Sequence, residues 1–166
     1  MREAPPWFLP VYRLIHGSIT KNIFVRRGVL TKIIFINILR SHKGDSFKLK
    51  TVFIVDDSDT NLLMAEEALE DSYRVMTLPS AEKMFALLEK FTPDLILLDI
   101  EMPLMNGFDA LEKLKTAGSW AAIPVIFLTG TINDFIREKS VKQGASGVIS
   151  KPFSPSELLG LINQHI

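Results

Sequence analysis

Short, mostly apolar segments recur along residues 51–166, and polar side chains follow most of them. Apolar runs of this length are typical of strands that are buried on both faces of a sheet. The run at residues 95–98 is the clearest, because four consecutive apolar residues lead into the carboxylate of Asp99. The pattern predicts five strands, at residues 51–55, 73–78, 95–98, 123–128 and 145–149.

Apolar residues between these strands recur every three or four positions, as they do along the buried face of an α-helix. Small polar residues that can cap a helix stand before these segments. The last segment has the clearest start, because Ser154, Pro155 and Glu157 form the capping-box pattern. Helices are predicted to start after Ser58 or Asp59, at Ser80, after an Asn106-Gly107 turn, at Asn133 and after Ser154.

Five strands that alternate with five helices through short loops indicate right-handed crossovers. We therefore predict an α/β fold with a doubly wound parallel sheet that helices cover on both faces. Charge sets the start of the chain apart: residues 1–50 carry ten Lys and Arg against two acids, net +8, and residues 51–166 carry nine against seventeen, net −8. We place a boundary between Gly44 and Lys50, with a basic extension at residues 1–47 and a domain at residues 48–166.

The basic extension, residues 1–47, admits several interpretations. It is a partly disordered leader, an extra helix or strand that docks on the domain, or a surface for acidic partners such as nucleic acid or a membrane. Its apolar patch at residues 33–39 is too short for a membrane span, which needs about 20 residues, and no secretory signal pattern is present. A translation start near Lys48 is a further alternative, in which the upstream residues are an artefact.

Polar residues that can carry chemistry follow four of the predicted strands: Asp56 and Asp57 the first, Asp99 the third, Thr129 the fourth and Lys151 the fifth. The carboxyl ends of parallel strands share one edge of the sheet, and open α/β sheets bind ligands there. We therefore expect these side chains to lie close together. Each one alone has an ordinary interpretation, as a helix cap or as a solvated charge.

Together, these residues predict a site for a metal ion and a phosphoryl group. Three carboxylates at one edge repel one another unless a cation neutralises them, and their oxygen atoms are the ligands that Mg²⁺ prefers. A carboxylate can also attack phosphorus and form an aspartyl phosphate. A nearby lysine and a hydroxyl can then contact the phosphoryl oxygens.

Four motifs give the chain a family resemblance. On their basis, residues 51–166 resemble a response-regulator receiver domain of two-component signalling. The resemblance implies a flavodoxin-like, five-stranded parallel sheet with the strand order 2-1-3-4-5. The motifs are VDDS at residues 55–58, LLDIEMPLMNG at 97–107, LTG at 128–130 and SKPF at 150–153.

The resemblance implies a metal site built mainly from carboxylates. Asp99 is implied to be the phosphoacceptor and a metal ligand. Asp57 is implied to be a direct ligand, and Asp56 to support the metal through water. The main-chain carbonyl of Glu101 completes the implied set. The implied metal is Mg²⁺, with Mn²⁺ as a second candidate.

The resemblance also implies how phosphorylation of the site changes the rest of the domain. Lys151 is implied to pair with the phosphoryl group or with unmodified Asp99, and Thr129 to move to the phosphoryl group and couple it to the face around the fourth helix. At Val148 the family often has an aromatic residue that rotates on activation, so we expect Thr129 and loop movement to carry the switch here. Ser146-Gly147 replace acidic residues of many transcription-factor receivers, which argues against their usual dimer.

We predict a stand-alone, cytoplasmic response regulator that accepts a phosphoryl group from a histidine kinase or a histidine phosphotransfer protein and then binds another protein. Turnover of an external substrate is not expected. Glu101 and Thr131 resemble positions that tune dephosphorylation, or are simply polar loop residues. Two other functions stay open: a phosphorylation-independent interaction module, and an aspartyl-nucleophile phosphatase, which would need a second Asp where this chain has Glu101.

Overall fold

The computed structural model describes residues 8–10, 24–26 and 49–166 of the chain. The chain consists of two units, Met1–Lys48 and Leu49–Ile166. In the first unit, the strands Phe8–Pro10 and Phe24–Arg26 pair in antiparallel fashion.

The interpretations of the basic extension, from a disordered leader to a surface for nucleic acid or membrane, lie outside the described residues. The apolar patch at residues 33–39 lies outside them as well. The division into an extension at residues 1–47 and a domain at residues 48–166 stays a prediction.

The unit Leu49–Ile166 is built on five parallel strands with helices between them. Its strands are β1 (Thr51–Val55), β2 (Arg74–Leu78), β3 (Leu95–Asp99), β4 (Val125–Thr129) and β5 (Gly147–Ser150). Its helices are α1 (Asp59–Leu69), α2 (Ala81–Leu88), α3 (Gly107–Thr116), α4 (Asp134–Lys142) and α5 (Pro155–Ile162), with a 3₁₀ turn at Gly118–Trp120 that was not predicted. The strands pair in the order β2-β1-β3-β4-β5. The predicted α/β fold and strand order are therefore confirmed.

Each face of this sheet holds its own apolar core. Phe53 of β1 and Phe127 of β4 pack on one face with residues of α2 and α3. Ile54 and Leu97 pack on the opposite face with residues of α1 and α5. All four side chains are fully buried. Coverage of both faces explains why the central strands read as continuous apolar runs rather than as an alternating pattern.

The helix starts agree with the predicted caps and resolve one that was left open. Ser58, not Asp59, caps α1, and its side chain accepts a hydrogen bond from the Asn61 N–H. Asn106 and Gly107 do not form a separate turn: Asn106 caps α3 and Gly107 is its first residue. Ser80, Asn133 and Ser154 also cap their helices, the last in a complete capping box. In the described part of the chain, no helix combines the length and the apolar character that a bilayer crossing needs.

A close approach of α3 to the end of β3 fixes the loop between them. A Cβ atom at Gly107 would lie only 2.3 Å from the carbonyl oxygen of Asp99, so any larger residue there would push the backbone aside. The Gly107 N–H donates a hydrogen bond to the Ile100 carbonyl at 2.9 Å, which closes the loop at its base. The end of β3, with Asp99, is thereby held against the first turn of α3.

Replacement of Gly107 by alanine is expected to lower the free energy of unfolding by about 2 kcal/mol, because the new methyl group overpacks against backbone. Gly160 in α5 is a matched control, since a Cβ there meets nothing within 4 Å. Gly160→Ala is expected to raise the free energy of unfolding by roughly 0.5 to 1 kcal/mol. Urea denaturation of both variants tests this, and equal effects of the two substitutions would contradict it.

Candidate functional site

The carboxyl edge of the sheet collects the polar residues singled out in the sequence. Asp56 and Asp57 follow β1, Asp99 ends β3, Thr129 ends β4 and Lys151 follows β5. The strands β1, β3, β4 and β5 are neighbours in that order. The sheet therefore joins Asp56 and Lys151 although they lie 95 positions apart in the chain.

Three carboxylates form an acidic cluster, which consists of Asp56, Asp57 and Asp99. One oxygen atom from each residue lies within 4.8 Å of the others. Asp56 is fully buried and Asp99 is 4% exposed, whereas Asp57 faces solvent. Oxygen donors grouped in this way, with one side open to water, fit a small hard cation that keeps part of its hydration shell. The donor set thus fits Mg²⁺.

Lys151 supplies the positive charge that faces the acidic cluster. Its Nζ atom lies 2.5 Å from Asp56 Oδ2 and 2.9 Å from Asp99 Oδ1. Its backbone N–H donates to the Thr129 carbonyl at 2.7 Å, which fixes the Lys151 backbone beside the end of β4. A buried carboxylate without a partner is strongly unfavourable, so this single ammonium group compensates two of the three acids.

Burial and charge act on Asp99 and Lys151 in opposite ways. Burial raises the pKa of Asp99 above its ordinary value and the nearby Asp56 carboxylate adds to this, while Lys151 and a hydrogen bond from the Glu101 backbone oppose it. Burial alone would lower the pKa of Lys151, but the hydrogen bonds and charges of Asp56 and Asp99 raise it. Lys151 is therefore protonated at neutral pH, and Asp99 is a more basic carboxylate than one on the surface.

Ser58 and Asn61, at the start of α1, also hold the Asp56 carboxylate. The Ser58 N–H donates to Asp56 Oδ1 at 2.9 Å. The side-chain amide of Asn61 donates to Oδ1 at 3.0 Å and lies 3.2 Å from Oδ2. The sequence analysis missed Asn61. Its only signal in the sequence is an amide five residues after Asp56. A single asparagine near a helix start most often serves only the helix itself.

Thr129 lies at the same edge, but its hydroxyl is turned to its own loop. The side chain is almost fully buried. Its Oγ1 donates to the Thr131 carbonyl at 2.9 Å and accepts from the Thr131 N–H at 3.2 Å. The structure thus brings together Asp56, Asp99 and Lys151, with Asp57 beside them. Thr129 ends β4, the strand next to the one that carries Asp99, and its hydroxyl bonds to Thr131 instead of to these residues.

Two further predicted positions flank the site. Glu101 is exposed in the loop after β3, and the role of its carbonyl as a metal ligand stays a prediction. Val148 is half-buried in β5 and packs against the core beneath α2 and α3. With Arg137 and Ser140 of α4 it lines a cavity of about 150 Å³. A switch that works without an aromatic residue at position 148 also stays a prediction.

Comparisons with known proteins show which family the chain matches. Residues 52–163 match the family of response regulator receiver domains. Protein PilH of Pseudomonas aeruginosa is 34% identical over 113 residues, which span 68% of this chain and 93% of PilH. The probable transcriptional regulator ycf29 of Porphyra purpurea is 35% identical over 115 residues, which span 69% of this chain and 55% of that protein.

A solved structure has a fold similar to that of this chain. The chemotaxis protein CheY4 of Vibrio cholerae superimposes with a TM-score of 0.68 at 28% identity, and the match covers 71% of this chain and 99% of that chain. Among three of the curated relatives, the matched segment covers only 26%, 55% and 53% of the relative's own length. What those longer proteins do as a whole is therefore no direct guide to this chain.

Asp99→Asn is expected to stabilise the metal-free protein at neutral pH. The folded pKa of Asp99 lies above its unfolded value. Its contribution to stability is therefore fully present below the unfolded pKa and is lost as the pH rises through the folded pKa. The amide avoids that loss, and Lys151 keeps Asp56 as a partner. Urea denaturation in the presence of a chelator should show a gain at neutral pH that shrinks in acid. A loss of stability at neutral pH would contradict this account.

Proposed function

The chain belongs to the response-regulator receiver family, and on that premise we propose that it accepts a phosphoryl group on Asp99 within a two-component phosphorelay. The donor is the phosphohistidine of a sensor kinase or of a histidine phosphotransfer protein. One observation carries the proposal: the Asp99 carboxylate is nearly buried within an acidic cluster and lies 2.9 Å from the Lys151 ammonium group. This arrangement supplies a nucleophile and a positive charge at the same point.

The transfer uses the Asp99 carboxylate oxygen that is not paired with Lys151. That oxygen attacks the phosphorus atom, the bond from phosphorus to the donor imidazole breaks, and the imidazole nitrogen keeps the electron pair. Lys151 stays protonated and contacts the negative charge that the phosphoryl oxygens bring. Water later attacks the same phosphorus, releases inorganic phosphate and restores the carboxylate. The protein is therefore its own substrate, and steady turnover of an external metabolite is not expected.

A divalent cation fits the acidic cluster, and Mg²⁺ is the proposed ion, with Mn²⁺ as an alternative. Asp57, Asp99 and the main-chain carbonyl of Glu101 would hold it, and Asp56 would support it through water. When bound, the ion would neutralise the carboxylates and the incoming phosphoryl oxygens. Asp57 suits direct contact because it faces solvent, whereas Asp56 is buried and already accepts bonds from Lys151 and Asn61.

The phosphorylated state is proposed to reach a partner protein through Thr129. The Thr129 hydroxyl bonds to residue 131 in the described structure, so its release towards a phosphoryl group would free the loop before α4. This change of the loop would supply the two-state element that a switch at position 129 needs. The partner protein, the tuning roles of Glu101 and Thr131, and a cytoplasmic location are parts of the same proposal.

Two alternative functions predict different behaviour. A phosphorylation-independent interaction module would keep the fold with Asp99 idle, and the paired Lys151 and the complete acidic cluster argue against it. An aspartyl-nucleophile phosphatase needs a second aspartate as general acid two residues after the nucleophile. Position 101 holds an exposed glutamate instead, and the proposed relay role needs no such acid.

Asp99→Asn is expected to abolish labelling by acetyl phosphate in the presence of Mg²⁺, because the amide cannot form an acyl phosphate. Intact-protein mass spectrometry measures the labelled fraction. Asp134→Asn is a matched control, since Asp134 lies in the first turn of α4 and takes no part in the acidic cluster. The control should label as the wild type does, and undiminished labelling of Asp99→Asn would overturn the assignment.

Wild-type protein is expected to bind beryllofluoride only when Mg²⁺ is present, because the acidic cluster repels the anion unless a cation neutralises it. Asp57→Asn should weaken Mg²⁺ binding by about tenfold or more. Isothermal titration calorimetry measures both affinities. Equal beryllofluoride binding with Mg²⁺ and with a chelator would favour the interaction module instead.

A further inference from the structure

Asn61 holds the Asp56 carboxylate in one orientation. Its side-chain amide donates to Oδ1 at 3.0 Å and lies 3.2 Å from Oδ2. The Ser58 N–H adds a bond to Oδ1 at 2.9 Å, and Lys151 contacts Oδ2 at 2.5 Å. Asp56 is fully buried, so these groups rather than water set its orientation. Oδ1 therefore accepts from Ser58 and Asn61, and Oδ2 is contacted by both Asn61 and Lys151.

Acids occupy the same helix position as Asn61 in two of the other four helices of the unit Leu49–Ile166. Asn61 is the third residue of α1. The third residues of α3 and α5 are the acids Asp109 and Glu157, whereas those of α2 and α4 are Lys83 and Ile136. Both acids bond back to the caps of their own helices: Asn106 donates to Asp109 at 2.6 Å, and the Ser154 N–H donates to Glu157 at 2.9 Å. An acid is favoured at a helix start because the helix dipole is positive there. Local helix energetics therefore favour an acid at position 61.

The neighbouring Asp56 explains why position 61 holds an amide. A carboxylate in place of the Asn61 amide would lie about as close to the buried Asp56 carboxylate as the amide does. Two like charges at that separation repel strongly where solvent is excluded. A hydrogen-bond donor of the same size removes the repulsion and satisfies the lone pairs of Asp56.

We propose that Asn61 is a positioning residue of the phosphorylation site. It fixes the Asp56 carboxylate so that Oδ2 faces Lys151, and through Asp56 it keeps the lysine beside Asp99. The inference rests on the proposed role of Asp99 as phosphoacceptor. Asn61 itself does not touch the phosphoryl group.

The lysine side chain is the reason why this positioning matters. Lys151 carries a flexible four-carbon stem, and its ammonium group can adopt many positions unless partners restrain it. Fixed Asp56 is one of its two partners. Without Asn61 the Asp56 carboxylate can turn, and Lys151 spends less time beside Asp99. The loss should appear in the rate of phosphoryl transfer rather than in the binding of a small donor.

Asn61→Asp and Asn61→Ala separate this role from a purely helical one. Both variants are labelled with acetyl phosphate and Mg²⁺ over a range of donor concentrations. We expect the maximal rate to fall about tenfold in Asn61→Ala and further in Asn61→Asp, as is usual when a residue that orients a ligand is removed. The half-saturating donor concentration should stay nearly constant. Asn133→Asp, the same chemical change at the cap of α4, should label at the wild-type rate.

The outcomes decide between the inference and the proposed function. If Asn61 served only its helix, Asn61→Asp would be neutral or stabilising and would label at the wild-type rate, which would overturn the inference. If Asn61→Asp fails to fold, the rate of Asn61→Ala gives the answer, because alanine adds no charge. Wild-type protein that does not label at all would overturn the proposed function instead.

A double-mutant cycle tests whether Asn61 acts through Asp56. Asn61→Ala is added to Asp56→Asn, and the labelling rates of the two single variants and the double variant are compared. We expect the second substitution to change the rate by less than about twofold once Asp56 has lost its charge. A further loss of about tenfold in the double variant would show an independent route and would contradict the inference.

Discussion

The site depends on the compensation of buried carboxylates by a single ammonium group. Asp56 and Asp99 are almost withdrawn from water, and Lys151 contacts both at hydrogen-bond distance. The energetic reason is that desolvation disfavours the ionised form of each acid, while a paired cation restores it. Lys151 follows β5, and Asp56 follows β1. The negative charge of Asp56 is therefore balanced only when β5 has joined the sheet. The chemistry of the site and completion of the fold are thus linked.

Parallel strand order turns distant sequence positions into one site. Asp56, Asp99 and Lys151 follow or end different strands, and the order β2-β1-β3-β4-β5 makes those strand ends neighbours. Backbone contacts then set the finer geometry. The Lys151 N–H bonds to the carbonyl of Thr129, and the tight approach at Gly107 holds the end of β3 in place. The Thr129 hydroxyl bonds within its own turn, and these are the bonds that the proposed switch would break.

The sequence was sufficient for the fold because its signals are local and redundant. Apolar runs marked the strands, caps such as Ser154 marked the helices, and the strand ends gave Asp99 and Lys151. The Asn106-Gly107 pair was misjudged, because a turn and a helix start use the same residue types. Asn61 was missed for a different reason. Its role depends on a contact with Asp56 that exists only once the first turn of α1 has formed, and single-sequence patterns do not report such contacts.

Reductive trapping tests the central claim most directly. Protein labelled with acetyl phosphate and Mg²⁺ is treated with borohydride, which reduces an acyl phosphate of aspartate to homoserine, and the digest is sequenced by mass spectrometry. The account predicts homoserine at position 99 and unmodified aspartate at Asp56 and Asp57. Homoserine at either of those residues, or phosphate retained on a serine, threonine or histidine, would contradict the assignment of Asp99 as the phosphoacceptor.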